Sequence, residues 1–318
     1  MAKMVITRTP LRISFFGGGT DFPAFYRDHG AMVLSAAIDK YVDVFIRDRF
    51  FEDIIISTSE KETHLSLDEI KHNLIREAMR QAAPDWSAVE IGTMADVPGS
   101  GTGLGSSASV TVGALAAANL FCGRRLTADE LARKAFSIEA DILGYPTGVQ
   151  DHYIAAYGGF RYMTMNEEGI RISPKLAYFD LKDHLALLYT GKVRDGRAIL
   201  ELFARDINQK TDQLEEMTTL AAAGMVAFLQ RDWQRFGELL CASWELKKSW
   251  CRASTPAIDK ICGKAMAAGA WGTKILGAGQ GGFLLVCAPK DKVPEFGQEL
   301  GMRQLEFNFC DSGARQLL

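Results

Sequence analysis

The residues 98–109 carry the clearest chemical signal in the sequence. They read Pro-Gly-Ser-Gly-Thr-Gly-Leu-Gly-Ser-Ser-Ala-Ser, so that four glycines alternate with other residues, most of them small. Glycine lacks a Cβ atom, which lets backbone N–H groups turn inward around an anion. The segment 110–118 is typical of a helix, whose first turn would add unpaired N–H groups and the positive end of its dipole. The stretch therefore predicts a phosphate-binding loop; a glycine-rich turn without a ligand is the alternative.

Two well-known phosphate loops are excluded. A Walker loop ends in Gly-Lys-Ser/Thr, and the sequence has no lysine between Gly99 and Ala108. A dinucleotide fingerprint needs G-x-G-x-x-G between a strand and a helix, and here a serine stands in the last place after Gly101 and Gly103. A second G-x-G-x-x-G, at residues 277–282, is followed by a strand-like segment instead of a helix. The loop at 98–109 belongs to another class.

Glu139 is the first of two acidic residues that could act with this loop. A capping box at Thr127 begins a predicted helix over 128–143. Glu139 lies beside the apolar stripe of that helix, where an unpaired carboxylate would be costly. We therefore expect a metal ion or a basic partner at Glu139; a surface ion pair with Arg133 or Lys134 is the alternative.

Asp151 is the second acidic residue. It follows a run of turn-forming residues, 144–149, and precedes a second glycine-rich turn at 158–159. An isolated acid in such a place is either a helix cap or a catalytic group. Another loop, Gly17-Gly18-Gly19-Thr20-Asp21, ends the first predicted strand with polar groups on a tight turn. An ordinary hairpin connection is the alternative there.

Strands and helices alternate irregularly around these residues. Strands are predicted at 4–16, 31–38, 41–47, 54–58, 88–94, 185–189, 274–276, 283–288 and 304–309. Helices are predicted at 67–83, 110–118, 128–143, 199–229 (one or two helices), 232–248, 256–269 and 294–300. The pattern indicates an α+β fold in both halves, with a boundary near residue 181.

Composition narrows the class of protein. The 318 residues are 47% hydrophobic, enough for two domains with their own cores. A net charge of −3 gives no support for a nucleic-acid or membrane partner. The first residues contain no signal-peptide pattern, and the six cysteines have no zinc spacing. We expect a cytoplasmic protein, and the sequence leaves open whether it forms a homo-oligomer.

Three glycine-rich elements together resemble the GHMP kinases, a family of small-molecule kinases that includes galactokinases, homoserine kinases and mevalonate kinases. The family's central motif is a proline followed by Gly-Leu-Gly-Ser-Ser-Ala, and Pro98 with residues 103–108 supplies those residue types. Its first motif resembles residues 9–21 and its third resembles residues 274–282. The resemblance implies an N-terminal domain like domain 2 of ribosomal protein S5, over 1–181, and a ferredoxin-like C-terminal domain, over 182–318.

The first motif departs from that of galactokinases. Galactokinases carry Gly-Glu-His-x-Asp there, and this chain has Gly17-Gly18-Gly19-Thr20-Asp21. The missing Glu-His pair speaks against galactose, and the motif looks like that of the heptose 7-phosphate kinase branch of the family. Fucose kinases have similar first motifs.

The resemblance also implies roles for individual residues. The phosphates of ATP would be held by Pro98, Gly99, Ser100, Gly101, Thr102, Gly103, Leu104, Gly105, Ser106, Ser107, Gly277, Gly279 and Gly281. Mg²⁺ would be held by Ser107 (or Ser106) and Glu139. Asp151 would take the proton of the attacking hydroxyl, with Arg12 stabilising charge. The sugar would contact Arg12, Gly18, Gly19, Thr20, Asp21 and Asp151.

The activity implied is phosphorylation of the anomeric hydroxyl of a heptose 7-phosphate, on the way to nucleotide-activated heptose. A kinase of an unphosphorylated sugar such as fucose, and a sugar-sensing relative without catalysis, are the alternatives. Lys192, Arg194 and Arg197 follow a predicted strand end and are candidates for the second phosphate, since cations there suit phosphate binding. A solvated turn is the other interpretation of these three charges.

Overall fold

The fold consists of two β-sheets joined through packed helices, in a computed structural model that describes residues 3–98, 101–192 and 196–318. The strands are β1 (Met4–Phe16), β2 (Ala31–Asp48), β3 (Ile54–Ser57), β4 (Lys61–His64), β5 (Val89–Ala95), β6 (Phe160–Asn166), β7 (Gly169–Ile172), β8 (Leu185–Tyr189), β9 (Gly272–Ile275), β10 (Phe283–Cys287), β11 (Arg303–Gln304) and β12 (Arg315–Gln316). The helices are α1 (Pro23–His29), α2 (Asn73–Ala82), α3 (Ser106–Phe121), α4 (Ala128–Ser137), α5 (Gln150–Tyr157), α6 (Gly196–Arg205), α7 (Thr211–Gln230), α8 (Trp233–Trp250), α9 (Pro256–Ala267) and α10 (Phe296–Glu299).

The first sheet has eight strands in the order β12-β1-β2-β5-β3-β4, with β6 pairing to β2 and β7 to β6. Its pairings are antiparallel except for β3 with β5. The strand β12 pairs with β1 although it comes from the other end of the chain. The last residues thus return to the sheet that is otherwise built from the first half of the sequence.

The strand β2 runs without interruption over 18 residues, so the prediction of separate strands at 31–38 and 41–47 is wrong. Asp39 and Lys40 form an irregularity at which the register with β1 shifts. Asp39 has no partner on β1 at this irregularity, and its N–H donates instead to the backbone carbonyl of Asn308 at 2.9 Å. Pairing with the 13-residue β1 on both sides of the bulge keeps the strand continuous.

The second sheet is antiparallel, in the order β11-β8-β10-β9. Counted along the chain, this is the order 4-1-3-2 of a ferredoxin-like sheet, with helices after its first and third strands. The predicted α+β fold with a ferredoxin-like second half is confirmed.

The helix α3 lies on the first sheet and contacts β1 and β2. It is longer than the predicted 110–118 because it begins at Ser106, directly after the glycine-rich loop. Small residues make up most of this buried helix, and Gly113 lies directly on the sheet: a Cβ atom there would be 2.8 Å from the hydroxyl oxygen of Thr9 on β1. Small side chains let the helix approach the sheet closely, which fixes the helix start, and with it the loop, relative to β1.

Three other predicted elements differ in extent. The predicted helix 67–83 is a short 3₁₀ turn, Leu67–Glu69, followed by α2. The predicted helix 128–143 is α-helical only to Ser137 and continues as a π-helical turn, Ile138–Ile142. The predicted strand 304–309 reduces to β11 and a single bridge between Ile38 and Phe309. The π-helical turn contains Glu139, which accepts a hydrogen bond from Ser107 at the start of α3, a distant contact that periodicity does not show.

Across the three described ranges, none of the helices combines the length and the apolar character that a membrane crossing requires.

Candidate active site

The glycine-rich loop lies at the start of α3 and lines the larger of two adjoining cavities, which has a volume of about 820 Å³. Six predicted loop residues line it: Gly101, Thr102, Gly103, Gly105, Ser106 and Ser107. Gly105, with φ of 77°, is the residue before the first turn of α3. The unpaired N–H groups of that turn therefore face the cavity side of the loop, as an anion site requires.

The remaining predicted loop residues do not line this cavity. Leu104 is fully buried, and its carbonyl accepts a hydrogen bond from the Arg12 N–H at 2.9 Å, so it ties the loop to β1. Pro98 is exposed and lines neither cavity. Gly99 and Ser100 lie outside the described residues.

Glu139 lies in the π-helical turn and points at the start of α3. Its Oε2 accepts from the Ser107 hydroxyl at 2.9 Å, and its Oε1 accepts from the Thr111 hydroxyl at 2.7 Å. The ring nitrogen Nε2 of His152 lies 3.2 Å from Oε1. Burial raises the pKa of Glu139, but attraction to His152 and the bonds from His152, Thr111 and Ser107 outweigh it and lower that pKa. The carboxylate is held ionised beside the loop.

The alternative of a surface ion pair at Glu139 is wrong, because Arg133 pairs with Asp129 one turn earlier and Glu139 is buried. The oxygen atoms of Ser107 and Glu139 together suit a hard cation such as Mg²⁺. Within the described ranges, no three or more His, Cys, Asp or Glu side chains are grouped as a metal site. Mg²⁺ in phosphate sites commonly takes one or two carboxylates and the phosphates themselves, so a single glutamate fits that ion.

Arg12 and Asp151 form the centre of the site. Asp151 lies in the first turn of α5, and Arg12 reaches it from β1. The guanidinium donates from Nε to Oδ1 at 2.7 Å and from Nη2 to Oδ2 at 2.6 Å, while Nη1 donates to the carbonyl of Gly103 at 2.6 Å. A planar, two-point pair of this kind fixes the orientation of both groups. Arg12 thereby couples the predicted base to the phosphate loop.

The smaller cavity, with a volume of about 110 Å³, adjoins the larger one at Arg12 and Asp151, which line both. Its wall includes the predicted sugar-binding residues Gly18, Gly19 and Asp21. A group bound in either cavity can therefore reach Asp151.

Asp21 is buried, and its two carboxylate oxygens accept from the backbone N–H of Gly19 at 3.0 Å and of Gln150 at 3.1 Å. Burial and the nearby charge of Asp151 raise the pKa of Asp21. Thr20 was predicted to hold the sugar, but it lines neither cavity. Its hydroxyl donates to the carbonyl of Gly17 at 2.8 Å and closes the turn instead.

The third glycine-rich element joins β9 to β10 and packs against the phosphate loop. Gly277 lines both cavities, as predicted for a residue near the phosphates. Gly279 and Gly281 line neither: Gly279 packs on Ala253, and Gly281 on Lys192. These two glycines pack against the protein and not against either cavity.

Neither of the two described candidates for the second phosphate, Lys192 and Arg197, lines the smaller cavity. Lys192 lines neither cavity, and Arg194 lies outside the described residues. Arg197 lines the larger cavity, with its guanidinium 3.5 Å from the ring centre of Tyr145, and not the smaller one. The smaller cavity has two lysines that the sequence analysis did not assign, Lys247 and Lys274.

Those lysines come from the second half of the chain. The Lys247 ammonium donates to the carbonyl of Gly277 at 2.7 Å. Lys274 donates to the carbonyls of Ser14 at 3.1 Å and Phe15 at 2.6 Å. Burial, with Lys247 and Arg12 nearby, holds the pKa of Lys274 well below its ordinary value. Lys274 is the first residue of the third motif, and that motif could have identified it. Lys247 lies in α8, where no motif marks it.

Comparison with known proteins places this arrangement in a family. The family model for the GHMP kinases N terminal domain matches residues 73–159, and the model for the GHMP kinases C terminal matches residues 225–301. The first match contains the phosphate loop, Glu139 and Asp151; the second contains Lys247, Lys274 and the third glycine-rich loop.

Relatives match along nearly the whole chain. A Campylobacter jejuni protein named D-glycero-alpha-D-manno-heptose 7-phosphate kinase is 26% identical over 98% of both chains. A mevalonate kinase of Methanocaldococcus jannaschii is 26% identical over 96% of this chain and 99% of its own. A solved structure described as a D-glycero-D-manno-heptose 1-phosphate kinase from Bacteriodes thetaiotaomicron superposes with a TM-score of 0.82, at 25% identity and 99% coverage of both chains. With two family models matched in order over about half of its residues, this chain belongs to the GHMP kinases.

Proposed function

We propose that this kinase transfers the γ-phosphoryl group of ATP to the anomeric hydroxyl of D-glycero-D-manno-heptose 7-phosphate. The observation that carries the proposal is the position of Asp151, on the wall of both cavities and held by Arg12 in a two-point ion pair. The larger cavity, with the phosphate loop, suits the nucleotide. The smaller one suits the acceptor.

The reaction needs one proton transfer and one phosphoryl transfer. Each oxygen of Asp151 accepts one bond from Arg12 and keeps a lone pair for the acceptor hydroxyl. Asp151 takes the hydroxyl proton as the new oxygen–phosphorus bond forms and the bond to the ADP oxygen breaks. Positioning and charge neutralisation supply most of the acceleration in such reactions, and Arg12 neutralises charge at the junction.

Ser107 and Glu139 would hold Mg²⁺ beside the phosphates of ATP. When bound, the ion would neutralise charge that develops on the transferred group. The chain's own contribution is to keep the Glu139 carboxylate ionised and aimed at the helix start through Ser107 and Thr111.

A phosphorylated acceptor is supported by two lysines in the wall of the smaller cavity: Lys247 supplies a positive charge there, and Lys274 supplies a further N–H donor. The glycines at 18 and 19 occupy the place of the Glu-His pair of galactokinases and leave backbone N–H groups and room there. Two relatives named as heptose phosphate kinases add support, although one name carries a 7-phosphate and the other a 1-phosphate. A kinase of free fucose stays the second candidate, because of the similar first motif.

The test is a coupled ADP-release assay over a panel of acceptors. We expect kcat/KM for heptose 7-phosphate to exceed that for free mannose, fucose and galactose by about 10- to 100-fold, the usual worth of a charged contact. The new phosphate should be acid-labile, as an anomeric phosphate is. Equal turnover of a free hexose, or preference for a heptose 1-phosphate, would contradict the proposed substrate.

A further inference from the structure

Two buried polar atoms in the wall of the smaller cavity have no hydrogen-bond partner among the residues that the structure describes. They are the amide oxygen Oε1 of Gln150 and the indole nitrogen Nε1 of Trp250, and both residues line the cavity. Buried polar groups in folded proteins are nearly always bonded, so an unpaired one calls for an explanation. At a binding site, the missing partner is a ligand group.

The two side chains lie next to neighbouring glycines of the loop 17–21, Gln150 beside Gly18 and Trp250 beside Gly19. Gln150 begins α5, directly before Asp151, and is 5% exposed. Its amide nitrogen lies 3.7 Å from where a Cβ atom on Gly18 would be. Trp250 ends α8, and its ring lies 3.2 Å from the corresponding point on Gly19. The loop that resembles the family's first motif is thus flanked by one unpaired acceptor and one unpaired donor.

Both side chains are fixed by other contacts. The backbone N–H of Gln150 donates to Asp21, which sets the start of the helix that carries its side chain. The ring of Trp250 packs on Phe203, with ring centres 5.0 Å apart. Leu200, Phe203 and Phe22 add apolar wall to the same cavity. An aromatic wall with isolated donors and acceptors is the kind of surface that binds a carbohydrate ring, since each sugar hydroxyl both donates and accepts.

We propose that Gln150 and Trp250 are specificity residues of the acceptor site: Gln150 Oε1 accepts from one non-reacting hydroxyl of the sugar, and Trp250 Nε1 donates to another. This inference rests on the proposed function in so far as the acceptor is a sugar. It adds that recognition comes from both halves of the chain, one residue on α5 and one on α8.

The test combines two variants with deoxy analogues of the acceptor. Gln150→Met keeps the length of the side chain and removes the amide, and Trp250→Phe keeps an aromatic ring and removes the N–H. The wild type should use a monodeoxy sugar phosphate with kcat/KM about 10- to 100-fold lower at the hydroxyl that each group contacts. Each variant should lose that discrimination at one hydroxyl only, mainly through KM for the sugar, with KM for ATP unchanged.

Trp244→Phe is the matched control. The Nε1 atom of Trp244 is likewise buried and has no partner within the described ranges, but Trp244 belongs to the apolar cluster of the second half and lines neither cavity. This variant should discriminate among deoxy sugars as the wild type does. A purely structural role for Gln150 and Trp250 would lower activity evenly over all analogues.

The inference is overturned if both variants keep the full wild-type discrimination at every hydroxyl. Should Trp250→Phe fail to fold, Gln150→Met decides alone, because its backbone bond to Asp21 is retained. If the panel shows fucose or another free sugar to be the better acceptor, the proposed function is wrong. The same variants, measured with that sugar and its deoxy analogues, then decide the inference separately.

Discussion

Arg12 determines the chemistry of the site at the scale of single residues. Its three donor nitrogens reach both oxygens of Asp151 and the carbonyl of Gly103. Arg12 is only 4% exposed to solvent. Its hydrogen bonds are therefore made away from bulk water, where charge-assisted hydrogen bonds are stronger. The base and the phosphate loop consequently cannot move independently of each other.

We expect Asp151→Asn to lower kcat by about two to four orders of magnitude, because an amide cannot take the acceptor proton. Binding of an ATP analogue should be retained, because no residue of the phosphate loop is changed. Steady-state kinetics and calorimetric nucleotide binding measure the two effects. Turnover close to that of the wild type, in a variant with an unchanged circular dichroism spectrum, would remove Asp151 from the role of base.

We expect Glu139→Gln and Ser107→Ala to raise the Mg²⁺ concentration needed for half-maximal rate more than they raise KM for the sugar. Both changes remove an oxygen ligand or its charge at the helix start, and neither residue lines the smaller cavity. Magnesium titrations at saturating ATP give the first quantity. Thr111→Val, which removes the second bond to Glu139 but no proposed ligand, is the control and should shift the titration less.

Motifs in the sequence locate residues that line the site, whereas residues that join it through contacts across the chain have no such signal. Arg12, Asp151, Glu139 and Ser107 are brought together as predicted. Lys247 and Trp250 were missed, since each occupies an ordinary position in α8 and acquires its meaning only from packing beside Gly277 and Gly19. The family resemblance implies a sugar contact for Thr20, yet its hydroxyl closes its own turn.

At the scale of elements, two glycine-rich loops from different halves of the chain support each other. The N–H of Phe283 donates to the carbonyl of Thr102 at 3.0 Å. A Cβ atom on Gly282 would lie 2.2 Å from that carbonyl oxygen, and one on Gly103 would lie 2.3 Å from the carbonyl oxygen of Leu276. The backbones of the two loops are in direct contact, and this is possible because glycines at 103 and 282 have no side chain. The sequence identified both loops but could not show that they touch.

We expect Gly282→Ala to lower the free energy of unfolding by more than about 2 kcal/mol and to weaken ATP binding, because the methyl group meets backbone that cannot yield easily. Gly123→Ala is the matched control: its φ of 76° is close to the 83° of Gly282, but no atom of the described part of the chain lies within 4 Å of the added methyl group. It should cost only the strain of a left-handed alanine, about 1–2 kcal/mol. Urea unfolding of both variants measures the difference; equal losses would show that the loop contact contributes nothing.

The ends of helices were predicted correctly where a local sequence signal sets them, and not where the signal is absent. The capping box at Thr127 and the Thr255 cap with a proline in the next position are local signals, and both helices begin where predicted. The π-helical turn that contains Glu139 has no comparable signal. It departs from the regular helix at the residue that contacts the start of α3, in keeping with the frequent occurrence of such turns at functional sites.

Lys274 connects the two sheets and so belongs to the scale of the whole molecule. It stands on β9 in the second sheet, and its side-chain nitrogen donates to the carbonyls of Ser14 and Phe15 on β1 in the first. The residues are about 260 positions apart in sequence, so no local pattern could have predicted the contact. Burial next to Lys247 and Arg12 makes the charged form of Lys274 unfavourable in the folded, ligand-free protein.

This lowered pKa predicts how stability depends on pH. Between the folded pKa of Lys274 and its ordinary value of 10.5, the unfolded chain carries the proton and the folded chain does not. Unfolding then takes up a proton, so this group makes the protein more stable as pH rises through that window, by at most about 1.4 kcal/mol per pH unit. Lys274→Met removes the contribution. The unfolding free energy of the wild type minus that of Lys274→Met should therefore increase from pH 7 to pH 9.5, measured by urea unfolding without ligands. Lys264→Met, at an exposed lysine of α9, is the control and should give a difference that does not change with pH. A flat difference for Lys274→Met as well would mean that the lysine keeps its proton inside the fold.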